Sequence, residues 1–184
     1  MVDALQPIQL AGEGRGRIGY LDQSYLFRFE SAFKKDNWLL SLTIPMHGQE
    51  VLVFEDLAQP QSSGEMQSLE VQIDQEIKKQ SKLENLKNEN IVVHLRSVIR
   101  FIKAQELGLE TQCDKDKCFL GKEEFIIQVL NDGVQIKKII NPEYFIEFTA
   151  LYLEKEFYSR VNFYLKKVKS KENFFSLELF LQNK

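Results

Sequence analysis

The chain of 184 residues has few of the residues that enzymes use for metal binding and nucleophilic catalysis. It contains 2 Cys and 2 His, and the positions His47, His94, Cys113 and Cys118 match no zinc-site spacing. No G-x-S-x-G nucleophile elbow is present, and neither histidine lies in a catalytic signature. We therefore expect a protein that is not an enzyme and that uses no metal or cofactor.

Long apolar runs and an excess of basic charge are also absent. No run approaches the roughly 20 residues of a membrane-spanning helix, and residues 1–10 lack the basic and apolar segments of a signal peptide. The formal net charge of −3 argues against nucleic acid as a partner. Composition leaves two locations open: the cytosol, or an exported location if a longer precursor supplied the signal.

Aromatic and aliphatic side chains are abundant and follow strand-like patterns. There are 14 Phe, and 43% of the residues are hydrophobic. In residues 25–33, Phe27 and Phe29 share one face and Arg28 and Glu30 the other, a period of two that is typical of a half-buried strand. Comparable patterns predict further strands at 8–20, 38–44, 51–54, 125–130, 134–140, 144–152, 160–168 and 174–181.

One segment has helical spacing instead. Within 92–107, the apolar residues Leu95, Ile99 and Ile102 lie on one stripe, and Gly108 suits the C-terminal stop of a helix. Roughly nine or ten strands joined by short turns, with one or two helices, predict a mostly β (α+β) fold built on a curved antiparallel sheet.

The connection over residues 58–91 is extended and charged. Apolar residues within 65–87 fall at helical spacing, but those of 67–73 also alternate as in a strand. A helix, and a strand followed by a helix, both remain open for this segment. No stretch divides the chain, so we expect a single domain over 1–184, with flexible residues at 1–6.

Two short motifs have alternative interpretations. Gly14-Arg-Gly16-Arg-Ile-Gly19 matches G-x-G-x-x-G, but a dinucleotide site needs a helix to open within it, and a sharply curved strand is the better interpretation. Cys113 and Cys118 enclose four polar residues, and a tight hairpin would bring them within bridging range. They are a candidate disulfide in an exported protein and reduced thiols in the cytosol.

Several segments together resemble the LolB family of outer-membrane lipoprotein receptors. The longest match, Leu39-Leu-Ser-Leu-Thr-Ile-Pro-Met-His-Gly-Gln-Glu-Val-Leu-Val53, is similar to a strand, loop and strand of that family. Gly16-Arg-Ile-Gly-Tyr20 is similar to its opening hairpin, and Val92-Val-His-Leu-Arg-Ser-Val-Ile99 to a helix containing Leu-Arg. The strands within 125–181 follow its closing order. The LolA family of periplasmic carriers shares the fold and is the nearest competitor.

The resemblance implies an unclosed β-barrel whose open mouth is covered by helices and whose apolar interior holds the acyl chains of lipoproteins. Such proteins accept the chains from a LolA-like periplasmic carrier and insert the lipoprotein into the inner leaflet of the outer membrane. The implied location is the periplasmic side of that membrane, with a lipid anchor if a longer precursor supplies a lipidated cysteine. Pro45 and Met46 would form the membrane-insertion loop. The side chains expected to line the lipid-binding cavity are Phe27, Phe29, Trp38, Leu40, Leu42, Leu95, Ile99, Ile102 and Phe163.

The residues themselves leave competing hypotheses open. Met46 stands where polar turn residues are expected, and it is either exposed for membrane contact or folded back into the core. Each expected lipid contact could equally be an ordinary core residue. A soluble LolA-like carrier of lipoproteins or other lipids, and an interaction domain with a solid core, are therefore the two alternatives.

Overall fold

A computed structural model describes most of the chain. The described residues are Leu5, 8–20, 23–45, 48–59, Gln75, 91–154, 157–170 and 173–182, with only the backbone described over 152–159. Both alternatives for 65–87 therefore lie outside the described residues, as does most of the charged connection at 58–91.

Within the described residues the chain forms eleven strands and one helix. The first strands are β1 (Gly12–Tyr20), β2 (Gln23–Lys34), β3 (Asn37–Ile44) and β4 (Gly48–Phe54), followed by the helix α1 (Ile91–Ile102). The remaining strands are β5 (Thr111–Asp114), β6 (Lys117–Leu120), β7 (Glu123–Leu130), β8 (Gly133–Asn141), β9 (Tyr144–Glu154), β10 (Phe157–Lys167) and β11 (Asn173–Leu181).

All eleven strands belong to one antiparallel sheet in the order β4-β3-β2-β1-β11-β10-β9-β8-β7-β6-β5. Every neighbour in this order is also a neighbour in sequence except β1 and β11, which pair from Gly14 opposite Leu181 to Tyr20 opposite Phe175. That one long-range pairing joins two meanders. The ladder ends at β4 on one side and at β5 on the other, so the prediction of a mostly β, antiparallel and unclosed sheet is confirmed.

One hairpin turn has the residues that its sequence predicts, whereas two others contain a lysine with positive φ. Asn131 and Asp132 join β7 to β8, as the sequence predicts, and Gly133 starts the returning strand. Lys35, with φ of 56°, lies in the turn from β2 to β3, and Lys115, with φ of 55°, in the turn from β5 to β6. The short β5–β6 hairpin is absent from the predicted strands because β5 is short and contains almost no apolar residues whose alternation could be detected.

Gly14 and Gly16 leave part of the inner face of β1 without side chains. A Cβ atom at Gly16 would lie 2.3 Å from the ring of Phe27, and one at Gly14 would lie 2.0 Å from the carbonyl oxygen of Phe180. The glycines therefore let the rings of β2 and the backbone of β11 approach closely. The whole G-x-G-x-x-G pattern lies within this strand, which confirms the interpretation as a strand.

The N-terminal segment lies against the inner face of the sheet. Leu5, Ile8 and Leu10 are buried in the core. The carbonyl oxygen of Leu10 accepts a hydrogen bond of 2.6 Å from Ser31 Oγ and one of 3.3 Å from Trp38 Nε1. Leu5 is thus packed into the fold, although the first residues are expected from the sequence to be flexible; its neighbours on either side lie outside the described residues.

Helix α1 is shorter than its sequence pattern predicts. The pattern runs to Leu107, whereas the regular helix ends at Ile102 and turns continue to Gly108. The N–H of Leu109 donates to the carbonyl oxygen of Ala104 at 2.8 Å, and Gly108 has φ of 68°. This is the Schellman arrangement, which only a residue tolerant of positive φ permits. The stop at Gly108 is therefore confirmed, and the extent of regular helix is corrected.

Candidate functional site

The nine side chains expected to contact lipid come together in one apolar cluster. Solvent reaches between 0% and 6% of each of them. They are Phe27 and Phe29 on β2, Trp38, Leu40 and Leu42 on β3, Leu95, Ile99 and Ile102 on α1, and Phe163 on β10. Because exposure this low leaves almost no solvent-accessible space beside these side chains, the interior they form is packed with protein atoms.

Two aromatic groups mark the ends of this interior. On the β3 side, Trp38 stacks between Phe33 and Phe54, with ring centroids 6.2 and 5.6 Å away. On the helix side, the ring of Phe101 stacks on that of Phe125 with centroids 4.1 Å apart and planes 10° apart. Large flat rings bury much apolar area and have few rotatable bonds. Each group therefore forms an ordered apolar surface.

Helix α1 is held to the segment that follows β4 by two arginines. Arg96, which is buried, donates hydrogen bonds to the carbonyl oxygens of Glu55, Asp56 and Gln59, the last two at 2.6 and 3.2 Å. Arg100 donates to the carbonyl oxygen of Leu57 at 2.9 Å. Guanidinium groups supply several donors in a fixed plane, so two side chains satisfy four backbone oxygens of this segment.

Helix α1 also contacts a charged group on β7 and β8. Ser97 Oγ donates to Glu123 at 2.5 Å, and Lys138 donates to the same carboxylate. Arg100 lies 3.5 Å from the other oxygen of Glu123. Burial would raise the pKa of Glu123, but the hydrogen bonds from Lys138 and Ser97 and the charges of Lys138 and Arg100 outweigh it, and the pKa is lowered.

Together these contacts attach α1 to two parts of the fold. One set of hydrogen bonds reaches the chain just after the end strand β4, and the other reaches β7 and β8. The apolar stripe of Leu95, Ile99 and Ile102 packs in the core. The helix therefore contributes apolar side chains to the core and is attached to its neighbours by hydrogen bonds.

Sequence reasoning missed the polar part of this arrangement. Arg96 and Arg100 lie off the apolar stripe of the helix, which usually indicates a solvated face, yet Arg96 is only 8% exposed. A signal was present at Lys138, which interrupts the inward-facing alternation of Val134 and Ile136 on β8. A cation at an inward strand position requires a buried partner, and Glu123 provides it.

The expected membrane-insertion loop is described only in part. Pro45 lies in the turn that follows β3, and the preceding Ile44 is partly buried against the core. Met46 and His47 lie outside the described residues. The two interpretations of Met46, exposed or folded back, therefore stay open.

Cys113 and Cys118 are joined in a disulfide. They lie directly opposite each other on β5 and β6, with Cα atoms 4.1 Å apart. The bond closes the hairpin at the far end of the sheet, where β5 pairs with β6 alone among the described strands. Cys118 is fully buried next to Phe125, with which it is paired, so the disulfide ties this end strand to the core.

The described residues contain no cluster of three or more His, Cys, Asp or Glu that could hold a metal ion. No helix among them is long and apolar enough to cross a membrane. Comparison with known protein families, with curated proteins and with solved structures finds nothing that matches this chain. The functional argument therefore depends on the residues and the geometry of the chain itself.

Proposed function

We propose that this protein is a LolB-like lipoprotein-binding protein of the bacterial envelope. It accepts acyl chains between the inner face of the sheet and helix α1, and it aids their insertion into the inner leaflet of the outer membrane. The observation that carries the proposal is an unclosed sheet with an apolar inner face, against which the apolar stripe of helix α1 packs. A LolA-like carrier that delivers the lipoprotein is part of the same proposal.

The energetics of acyl chains explain why such an interior is useful. Each exposed CH₂ group costs roughly 0.8 kcal/mol in water, so a lipid with several chains needs an apolar shield to cross an aqueous compartment. Burial alone supplies this shield, and no catalytic group is required. The aromatic walls at Trp38 and Phe101 offer large apolar surfaces at either end.

Uptake requires the packed interior to open. The apolar contacts of Leu95, Ile99 and Ile102 are non-directional, and acyl chains can replace them at little cost. The hydrogen bonds of Arg96 and Arg100 are directional, and water can satisfy the same groups when the helix moves away. Displacement of α1, with acyl chains taking its place, is therefore the proposed route, and α1 is the covering helix of the proposed mouth.

The disulfide supports a location outside the cytosol. Disulfides persist in oxidising compartments such as the periplasm, whereas cytosolic thiols stay reduced. A bond between Cys113 and Cys118 is therefore consistent with the proposed envelope location, and it favours exported over cytosolic alternatives.

Acyl-chain uptake is the direct test of the proposal. The purified protein is mixed with a synthetic triacylated lipopeptide, and the complex is counted by native mass spectrometry. We expect one lipopeptide per chain, and a faster uptake by the variant Arg96→Lys, since a weaker attachment of α1 eases opening. The matched control is Lys169→Gln, an exposed cation in the turn just after β10; equal uptake rates in both variants would exclude the proposed route.

Transfer to membranes tests the role of the loop. Met46→Glu is expected to leave folding and uptake unchanged and to slow delivery of the bound lipopeptide to phospholipid vesicles, because a carboxylate resists entry into the apolar layer. Leu26→Glu is the control, since Leu26 is 70% exposed on the outer face of β2. If both variants transfer at the wild-type rate, Met46 has no part in insertion.

The competing function is an interaction domain with a solid core. The near-zero exposure of the nine predicted contacts favours it, because a filled interior needs no ligand. The two functions differ in the uptake experiment: a solid core yields no complex with a lipopeptide, with free fatty acid or with lipid extracted from the host. A complex with fatty acid alone indicates the other alternative, a soluble lipid carrier.

A further inference from the structure

A polar groove of about 540 Å³ crosses the outer face of β1 to β4, on the opposite side of the sheet from the apolar interior. Its charged residues are Glu13 and Arg15 on β1 and Arg28 and Glu30 on β2. Its volume is in the range of small-molecule sites. Since these side chains alternate with buried residues along each strand, the groove is independent of the interior and of the function proposed for it.

Residues of like charge lie opposite each other across β1 and β2 in this groove. Glu13 lies directly opposite Glu30, and Arg15 lies directly opposite Arg28. Like charges in directly opposite positions destabilise a pair of strands. Exchanging Glu13 and Arg15 would turn both cross-strand pairs into opposite-charge pairs at the same composition, so the observed order of charges is not the one that best stabilises the pairing of β1 with β2.

The arrangement makes the groove dipolar. Two carboxylates form one row and two guanidinium groups form the next, about 6.6 Å further along the strands. Thr43 is opposite Arg28 and extends the arginine row, while Ser41 is opposite Glu30 and extends the carboxylate row. Within the part of the chain that the structure describes, neither Arg15 nor Arg28 forms an ion pair or a side-chain hydrogen bond.

We propose that this groove binds a phosphoethanolamine group. The phosphate lies on Arg15 and Arg28, which offer charge-assisted hydrogen bonds to its oxygens, and Thr43 adds a hydroxyl donor. The ammonium group lies on the carboxylates of Glu13 and Glu30. A simple anion fits less well because the carboxylate row repels it, and an amino acid fits less well because one carbon separates its two charges.

The binding test uses free O-phosphoethanolamine, with inorganic phosphate and ethanolamine as separate probes, followed by NMR titration of the folded chain. We expect saturable shifts at β1 and β2 with O-phosphoethanolamine, and at least tenfold weaker binding of either fragment. Arg28→Gln and Glu30→Gln should each weaken binding at least threefold. Binding of inorganic phosphate to the wild type as tightly as O-phosphoethanolamine would indicate a plain anion site and overturn the proposal.

The charge exchange E13R/R15E separates binding from folding. This variant keeps composition and net charge, replaces like pairs by opposite pairs, and should lose binding while its melting temperature stays level or rises. Lys122→Gln serves as the control for general electrostatics and should bind as wild type does. Retained binding by E13R/R15E, or equal loss in Lys122→Gln, contradicts the proposal.

Vesicles identify the source of the group. Sedimentation with phosphatidylethanolamine–phosphatidylcholine vesicles is compared with phosphatidylcholine vesicles alone. Binding that requires phosphatidylethanolamine and is lost in E13R/R15E assigns a lipid headgroup, while binding of the free compound without vesicle binding assigns a soluble ligand. Binding of neither overturns the site, and none of these outcomes depends on acyl-chain uptake.

Discussion

The two faces of strand β2 show how differently the two sides of this sheet are built. On the inner face, Phe27 and Phe29 are 3% exposed, and their rings fill space that the glycines of β1 leave open. On the outer face, Leu26 is 70% exposed and Arg28 and Glu30 point into solvent. The inner face therefore depends on packing, whereas the outer face is free to carry charges whose arrangement serves other purposes.

Charged residues are buried on both faces, but by different means. On the outer face, Glu178 is covered by its neighbours in the sheet: Arg17 lies 2.8 Å from its carboxylate, Tyr164 3.2 Å and Arg160 3.5 Å. Burial, with the charge of Glu178, raises the pKa of Tyr164. On the inner face, Glu123 is reached by the helix. The outer network thus stiffens the sheet, and the inner one ties a second element to it.

The largest loss of stability is expected when a large side chain on the inner face is truncated. Phe101→Ala removes a ring that is 1% exposed and stacked on Phe125, and such truncations cost about 3–5 kcal/mol. Phe180→Ala on the outer face is the comparison, since Phe180 is 38% exposed and its ring lies 5.0 Å from the guanidinium group of Arg160; this cation–π contact is worth about 0.5–1 kcal/mol. Urea unfolding measures both, and similar losses would remove the distinction between the faces.

An added methyl group on β1 is expected to have the next largest effect. Gly14→Ala forces a Cβ atom against the backbone of β11 at 2.0 Å, and because backbone cannot rotate out of the way, the cost is expected at the upper end of the usual range for overpacking, about 3 kcal/mol. Gly19→Ala on the same strand meets mainly the movable hydroxyl of Ser176 at 2.5 Å and should cost less. Thermal unfolding distinguishes the two variants, and a milder effect at Gly14 would show that β1 and β11 can separate.

Loss of the helix attachment is expected to rank third. Arg96→Gln removes charge-assisted hydrogen bonds to the segment after β4, at about 1.5–3 kcal/mol. Arg28→Gln on the outer face removes a charge at an exposed position and should change stability by about 0.5 kcal/mol or less. Hydrogen exchange should also become faster in α1 in the first variant only. Unchanged protection of α1 would mean that the apolar stripe alone holds the helix.

The smallest effect is the pH dependence of the Glu123 group. Because its pKa is lowered in the folded state, its contribution is present above the unfolded value of about 4.3 and is lost as the pH falls through the folded pKa. The contribution is about 1 kcal/mol or less, since Glu123 is partly exposed. Comparing Glu123→Gln with wild type between pH 6 and 3 should show the difference shrinking with falling pH; a constant difference contradicts this assignment.

The sequence predicted the features that depend on local chemistry. Alternation placed Phe27 and Phe29 on the buried face, Asn131 and Asp132 marked a hairpin turn, and Gly108 marked the end of the helical segment. Each of these follows from strand periodicity or from the backbone freedom of a turn residue.

Features that depend on residues far apart in the chain could not be predicted from the sequence. The pairing of β1 with β11 depends on segments that are far apart in the chain and carry no local signal. The burial of Arg96 depends on where the segment after β4 runs, and the like-charge pairs of Arg15 and Arg28 appear only once the register of β1 and β2 is known. Helical periodicity could not reveal the early end at Ile102, because turns preserve the apolar spacing beyond it.

Fluorescence of Trp38 tests the central claim most directly. Trp38 is the only tryptophan in the chain, it is fully buried, and it belongs to the proposed lipid-contact surface. A lipopeptide with brominated acyl chains should quench its emission in a saturable way at one equivalent, while the same lipopeptide without bromine should not. A complex that forms with the brominated lipopeptide and leaves the emission of Trp38 unchanged would contradict uptake into the interior.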